Sequence, residues 1–117
     1  MAQRILIIQG HPASDSLCAG LASAYAEGAQ AAGAEVRWLR LGEMDFDPLL
    51  HAGYRDAQPL EPDLVAAQAA MVWAEHPAWV YPVWWGAMPA LLNGFIDRVF
   101  LPGFAFRYRS VSSLWGK

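Results

Sequence analysis

Two short segments carry residue types from which a binding site can be built. The first is Gly10-His11-Pro12-Ala13-Ser14-Asp15-Ser16-Leu17-Cys18, where an apolar run gives way to an alanine-rich stretch. If that stretch is a helix, its first turn offers unpartnered backbone N–H groups and the positive end of the helix dipole. Together these can hold a phosphate, with His11, Ser14 and Ser16 adding donors. Ser14, Asp15 and Ser16 suit plain helix capping equally well, so the segment alone leaves both readings open. The second is Tyr81-Pro82-Val83-Trp84-Trp85-Gly86-Ala87-Met88-Pro89. Two adjacent tryptophans held by prolines and a glycine form a stiff aromatic wall suited to a planar ring system. Consecutive strand residues face opposite ways. Read as the end of a strand, the pair must therefore send at least one indole towards the mouth of the sheet.

The remaining candidates carry less. No G-x-G-x-x-G follows the first apolar run and no P-loop pattern occurs, so a phosphate held here uses a different loop chemistry. His11, His51 and His76 show no ligand spacing, and no metal site is expected. Asp45 and Asp47 flank Phe46 before Pro48, which reads as a turn rather than a carboxylate pair. Cys18 falls on the first helical turn, where thiols can be reactive. With no base beside it in the sequence, a packed thiol is the expectation. Phe104-Ala105-Phe106-Arg107-Tyr108 places an aromatic at every second position, and a core strand and a surface flap both fit.

The chain of 117 residues is 56% hydrophobic and 16% charged, which excludes intrinsic disorder and fits one domain, residues 1–117. A net charge of −3 argues against a nucleic-acid grip built on phosphate neutralisation. The single cysteine permits no internal disulfide, and the short apolar run after Arg4 is no signal-peptide core, so a cytoplasmic location is expected. Ala78 to Ile96 carries no charge and has the length of a membrane helix. Pro82, Gly86, Pro89, Asn93 and Gly94 interrupt it, so a strand, a turn and a buried helix are expected instead of a span.

The elements that must position these segments follow from pattern. Ile5-Leu6-Ile7-Ile8 reads as a parallel strand covered on both faces. Leu17 to Ala32 reads as a helix with Leu17, Leu21, Ala24, Tyr25 and Gly28 on one face and Gly33 as its stop. A second strand spans Glu35 to Leu41, and a turn-rich loop runs from Gly42 to Pro62. A second helix spans Asp63 to Ala74, with Leu64, Val65, Gln68, Met71 and Val72 on one face. A third strand spans Ala78 to Val83, and a third helix runs from near Pro89 to Val99, stopped by Pro102-Gly103. Three consecutive βα units imply a parallel sheet with right-handed crossovers. Ligands bind such sheets outside the carboxyl ends of the strands, where strand order reverses.

Taken together, these segments resemble the flavodoxin-like NAD(P)H:quinone oxidoreductase family, the NAD(P)H dehydrogenases (quinone). The likeness lies in Ile7-Ile8-Gln9-Gly10-His11-Pro12 with Ser16-Leu17-Cys18, and in Asp45-Phe46-Asp47-Pro48-Leu49. Its most specific part runs from Pro82-Val83-Trp84-Trp85-Gly86 through Asn93-Gly94-Phe95-Ile96-Asp97-Arg98-Val99-Phe100, continuing into Gly103 to Tyr108. It covers nearly the whole chain in order. The resemblance implies an α/β, flavodoxin-like parallel sheet with helices on both faces, ordered 2-1-3 over the three units present. It implies a flavin, FAD in many members and FMN in others, with phosphates at His11 and at the turn to Ser16, Leu17 and Cys18. Pro82, Val83, Trp84, Trp85 and Gly86 would lie along the isoalloxazine ring, Trp85 at its edge. Phe106 and Tyr108 match positions that wall the substrate pocket across a dimer interface, and Trp85 and Tyr108 are the expected catalytic residues. The implied reaction is ping-pong: NAD(P)H gives hydride to the flavin, and a quinone or similar small acceptor then takes it. A homodimer is the expected assembly of the full-length form. A flavin-binding electron-transfer or regulatory module, or an inactive fragment, is the alternative.

The chain departs from the family pattern in places. Three units occupy 117 residues, so five would need roughly 195. The glycine-rich loop after strand four, with its tyrosine and histidine, has no counterpart, and strands four and five are missing. The expectation is an N-terminal, C-terminally incomplete member. Cys18 stands where some members carry asparagine, and Phe106 where some carry tyrosine. An apolar third strand left at the sheet edge invites pairing. The isolated chain is therefore expected to self-associate in light scattering, and a monodisperse monomer would count against that edge.

Overall fold

The computed structural model describes residues 2–101 and 104. Strand β1 (Arg4–Gln9) is followed by helix α1 (Leu17–Ala31), strand β2 (Glu35–Arg40), a 3-10 turn (Leu41–Glu43), helix α2 (Pro62–Trp73), strand β3 (His76–Val80) and helix α3 (Ala90–Val99). The sheet has the order β2-β1-β3, parallel throughout. This is the expected α/β, flavodoxin-like arrangement. No helix among the described residues is long and apolar enough to cross a membrane.

The burial of β1 explains its central place. Leu6, Ile7 and Ile8 are completely buried, and alternation sends them to two different layers. Ile5 and Ile7 pack against Ala22 and Ala26 of α1. Leu6 and Ile8 join Leu41, Leu64, Leu92, Phe95 and Val99 on the side of α2 and α3. The first crossover runs from β1 to β2 and the second back past β1 to β3. With a single handedness, that reversal puts their helices on opposite faces.

The faces of the helices correct the pattern reading. Helix α1 buries Ala22 and Ala26, whereas Leu17, Leu21 and Tyr25 face solvent. Small side chains let α1 lie close to the sheet, and size rather than hydropathy selects its inner face. In α2, Leu64 and Ala67 are buried while Val65 and Val72 are exposed. Strand β3 begins and ends earlier than its apolar run predicts. It pairs only as far as β1 extends, from Ile5 with His76 to Gln9 with Val80. The last bond runs from the Gly10 N–H to the Val80 carbonyl at 2.8 Å. Pro82 has no N–H with which to continue a ladder, so Pro82 and Val83 belong to the following loop.

One buried cation ties the long loop after β2 to α3. The Arg98 guanidinium is almost wholly buried. It donates to Glu61 Oε1 at 2.7 Å, to the Pro59 carbonyl at 2.9 Å and to the Asp47 carbonyl. Glu61 also accepts the Asp47 amide at 2.6 Å, and Phe46 meets Phe95 edge to face with centroids 6.1 Å apart.

Arg98→Met is expected to lower the unfolding free energy by about 2 kcal/mol in urea denaturation at pH 7. That is less than for a fully buried pair, because the Glu61 side chain keeps 30% exposure. The Arg98 hydrogen bond, and after it the Asp47 amide, hold Glu61 at about 2 instead of 4.5. A depressed carboxylate stabilises fully above its unfolded value and stops doing so as pH falls through its folded value. Stability therefore declines from pH 4.5 towards 2, and Glu61→Gln flattens that limb. An acid limb identical in the variant would contradict the assignment.

Candidate functional site

Because β1 and β3 are parallel neighbours, the loops leaving their carboxyl ends emerge side by side. The structure brings the two segments together there: the His11 imidazole meets the Trp84 indole edge to face, centroids 5.4 Å apart at 80°.

The first loop is held from several sides. The His11 N–H donates to Gln9 Oε1, and the Ala13 N–H donates to His11 Nδ1 at 2.9 Å. Ser14 Oγ donates to Glu43 Oε2 at 2.8 Å, tying the loop to the turn after β2. That turn comes so close that a Cβ on Gly42 would lie 2.0 Å from the Pro12 carbonyl oxygen, so only glycine fits. Ser16 caps α1, its Oγ accepting the Ala19 N–H at 3.2 Å. The capping reading therefore holds for Ser16. It does not compete with anion binding, because Leu17 and Cys18 occupy the first turn, whose N–H groups have no intrahelical partner. Leu17 is strongly exposed and Cys18 is half-buried.

The second loop is a tight hairpin turn beyond the strand. The Trp84 N–H donates to the Ala87 carbonyl at 2.8 Å and the Ala87 N–H to the Trp84 carbonyl at 3.0 Å. Between them Trp85 and Gly86 both adopt positive φ, 54° and 72°, the arrangement of a type I′ turn. The two turn bonds engage the amides of Trp84 and Ala87, not those of Trp85 and Gly86. Strand alternation therefore does not place the tryptophans; turn geometry does. Trp85 is fully exposed and Trp84 is 46% exposed. Glycine is the natural occupant of such a backbone, whereas a tryptophan there is strained.

Among the described residues this meeting point is an exposed edge, with Trp84 and Trp85 both open to solvent. A cavity of about 260 Å³ lies elsewhere, lined by Leu50, Tyr54, Asp56 and Leu101 among others. One of about 280 Å³ borders Trp38, Arg40, Glu43 and Asp63. His11, Trp84 and Trp85 line neither. The wall from Tyr81 to Pro89 carries no charge; it leads directly into the positive end of α3, and the loop it meets leads into the positive end of α1. Those features fit a flat ring with an anionic tail. No group of side chains among the described residues could hold a metal ion. Asp47 lies in irregular backbone rather than a regular turn: its Oδ1 accepts the Leu49 amide at 3.0 Å and its Oδ2 meets His51 Nε2 at 2.6 Å. The Leu49 amide, then His51, lower its carboxyl below the ordinary value. Phe106 and Tyr108 lie outside the described residues.

The role of Gln9 was not evident from the sequence, where it reads only as the residue that ends an apolar run. A polar side chain closing a fully buried strand was the available signal.

Comparison with known proteins places this edge in context. The family described as having a flavodoxin-like fold matches residues 3–117. The chain is 33% identical over 113 residues to a protein of Haemophilus influenzae named as an uncharacterized NAD(P)H oxidoreductase, covering 93% of this chain and 56% of that one. It is 27% identical to rat NAD(P)H dehydrogenase [quinone] 1, covering 93% and 47%. Its structure superposes on an NAD(P)H:quinone oxidoreductase from Methanothermobacter marburgensis with a TM-score of 0.79 and 28% identity, covering 94% and 59%. The chain thus spans about half the length of the curated relatives it matches.

Replacing Trp85 with asparagine, which tolerates positive φ and gives up no packing here, is expected to raise stability by about 1 kcal/mol. Urea denaturation reads this directly, and a loss of stability would show that the indole packs against the fold.

Proposed function

From the premise that the chain belongs to the flavodoxin-like fold family, we propose that it carries the flavin-binding edge of an NAD(P)H:quinone oxidoreductase. The observation that supports this most is the His11–Trp84 contact, which joins the loop that leads into α1 to the exposed tryptophan turn. In this reading His11, Ser16, Leu17 and Cys18 hold the phosphate of FAD or FMN. Pro82, Val83, Trp84 and Gly86 lie along the ring, and Trp85 stands at its edge. The flavin, when bound, supplies the two-electron chemistry, accepting a hydride from NAD(P)H and passing it to a quinone in two half-reactions.

The protein's own contribution is orientation and electrostatics. The N–H groups at the start of α1 meet the phosphate in a fixed geometry. The amides of Trp85 and Gly86, outside the turn's own bonds, are donors for negative charge that builds on a reduced ring. The uncharged wall from Tyr81 to Pro89 keeps water from one side of the ring. Phe106 and Tyr108, with Trp85, are assigned to the acceptor's side, in a homodimer as the working assembly.

Titrating the purified chain with FMN and with FAD is expected to give saturable quenching of flavin fluorescence. Trp85→Ala is expected to weaken binding more than Trp38→Ala. Equal effects would remove Trp85 from the binding surface, and absence of quenching by either flavin would overturn the reading. NADH- or NADPH-dependent quinone reduction then separates an enzyme from a flavin-binding electron-transfer module.

A further inference from the structure

Resting on the reading that His11 faces the anionic end of the ligand, we infer that Gln9 is the residue that positions the His11 ring. After Arg4, strand β1 is Ile-Leu-Ile-Ile up to its last residue, a glutamine that is only 2% exposed. Burying a carboxamide is costly unless it is hydrogen-bonded. Alternation places Gln9 on the same face as Ile5 and Ile7, towards α1. Its Oε1 accepts the His11 N–H, and His11 Nδ1 in turn accepts the Ala13 N–H at 2.9 Å. An acceptor at Nδ1 puts the proton of the neutral ring on Nε2, so the ring presents a donor. Its orientation is fixed further by the edge-to-face contact with Trp84.

The chain of contacts therefore runs from the rigid centre of the sheet to the ring: Gln9 fixes the His11 backbone, and the Ala13 amide fixes its tautomer. Gln9 bonds to the backbone of His11 and acts through that residue. An apolar residue in its place leaves the His11 N–H without its acceptor, and the turn re-aims. A glutamate keeps the acceptor oxygen.

The test uses the ¹⁵N-labelled 117-residue chain and long-range ¹H–¹⁵N correlation of His11 at pH 8, with FMN affinity measured in parallel. The wild type is expected to show the Nε2–H tautomer alone. Gln9→Met, which conserves length but not the acceptor, is expected to show mixed tautomers and FMN binding weakened about tenfold, the worth of one hydrogen bond. Gln9→Glu is expected to restore the wild-type ring pattern. A wild-type ring pattern and unchanged FMN affinity in Gln9→Met would overturn the assignment. If Gln9→Met does not fold, the wild type and Gln9→Glu decide: mixed tautomers in either overturn it, and a single Nε2–H form in both supports it. Failure of the wild type to bind FMN would overturn the flavin reading while the ring spectra still decide the role of Gln9.

Discussion

The candidate site depends on the double burial of one strand. Strand β1 runs parallel to a neighbour on each side, and its residues from Ile5 to Gln9 are buried. Each buried Ile or Leu side chain contributes roughly 2 kcal/mol relative to exposure. A slip of one residue would exchange the side chains that meet α1 with those that meet α2 and α3. The register is therefore strongly specified. With it comes the fact that matters for function: the strands all end on one edge, and the loops after β1 and β3 become neighbours although far apart in sequence.

On that edge the loops are stabilised unequally. The first is tied into the body of the protein by Gln9, by the Ser14–Glu43 bond and by the close approach of Gly42 to Pro12. Arg98 performs a similar service for the Asp47–Glu61 stretch, which it joins to α3. The second loop is closed by its own pair of turn bonds and holds a tryptophan in a backbone conformation suited to glycine. Backbone strain of this kind clusters at ligand-binding surfaces in proteins generally.

Much of this was legible in the sequence where a single property decides the outcome. The apolar run Ile5–Ile8, the cap candidates Ser14 to Ser16 and the Gly33 stop marked β1 and α1 to within a residue or two, because local chemistry sets them. The face of α1 was not legible: Leu17, Leu21 and Tyr25 have the hydropathy of a core, but the sheet accepts the alanines. The end of β3 was misplaced because its length is set by β1, its partner, and not by its own apolar run through Val83. The pairing of Arg98 with Glu61, 37 residues apart, has no local signature. At least one tryptophan was expected to leave the core at the end of β3; both are exposed, and a turn rather than strand alternation puts them there.

The central claim is that a flat flavin ring rests on the Trp84–Trp85 turn with its phosphate beside the start of α1. Each tryptophan gives its own indole N–H resonance, so a ¹H–¹⁵N spectrum of the chain recorded during FMN addition reads that claim residue by residue. The account predicts that the Trp84 and Trp85 signals and the amides of His11 and Ser16 to Cys18 move together along one saturation curve, while Trp38 and Trp73 stay in place. Movement confined to Trp38 or Trp73, or none at any tryptophan, would contradict it.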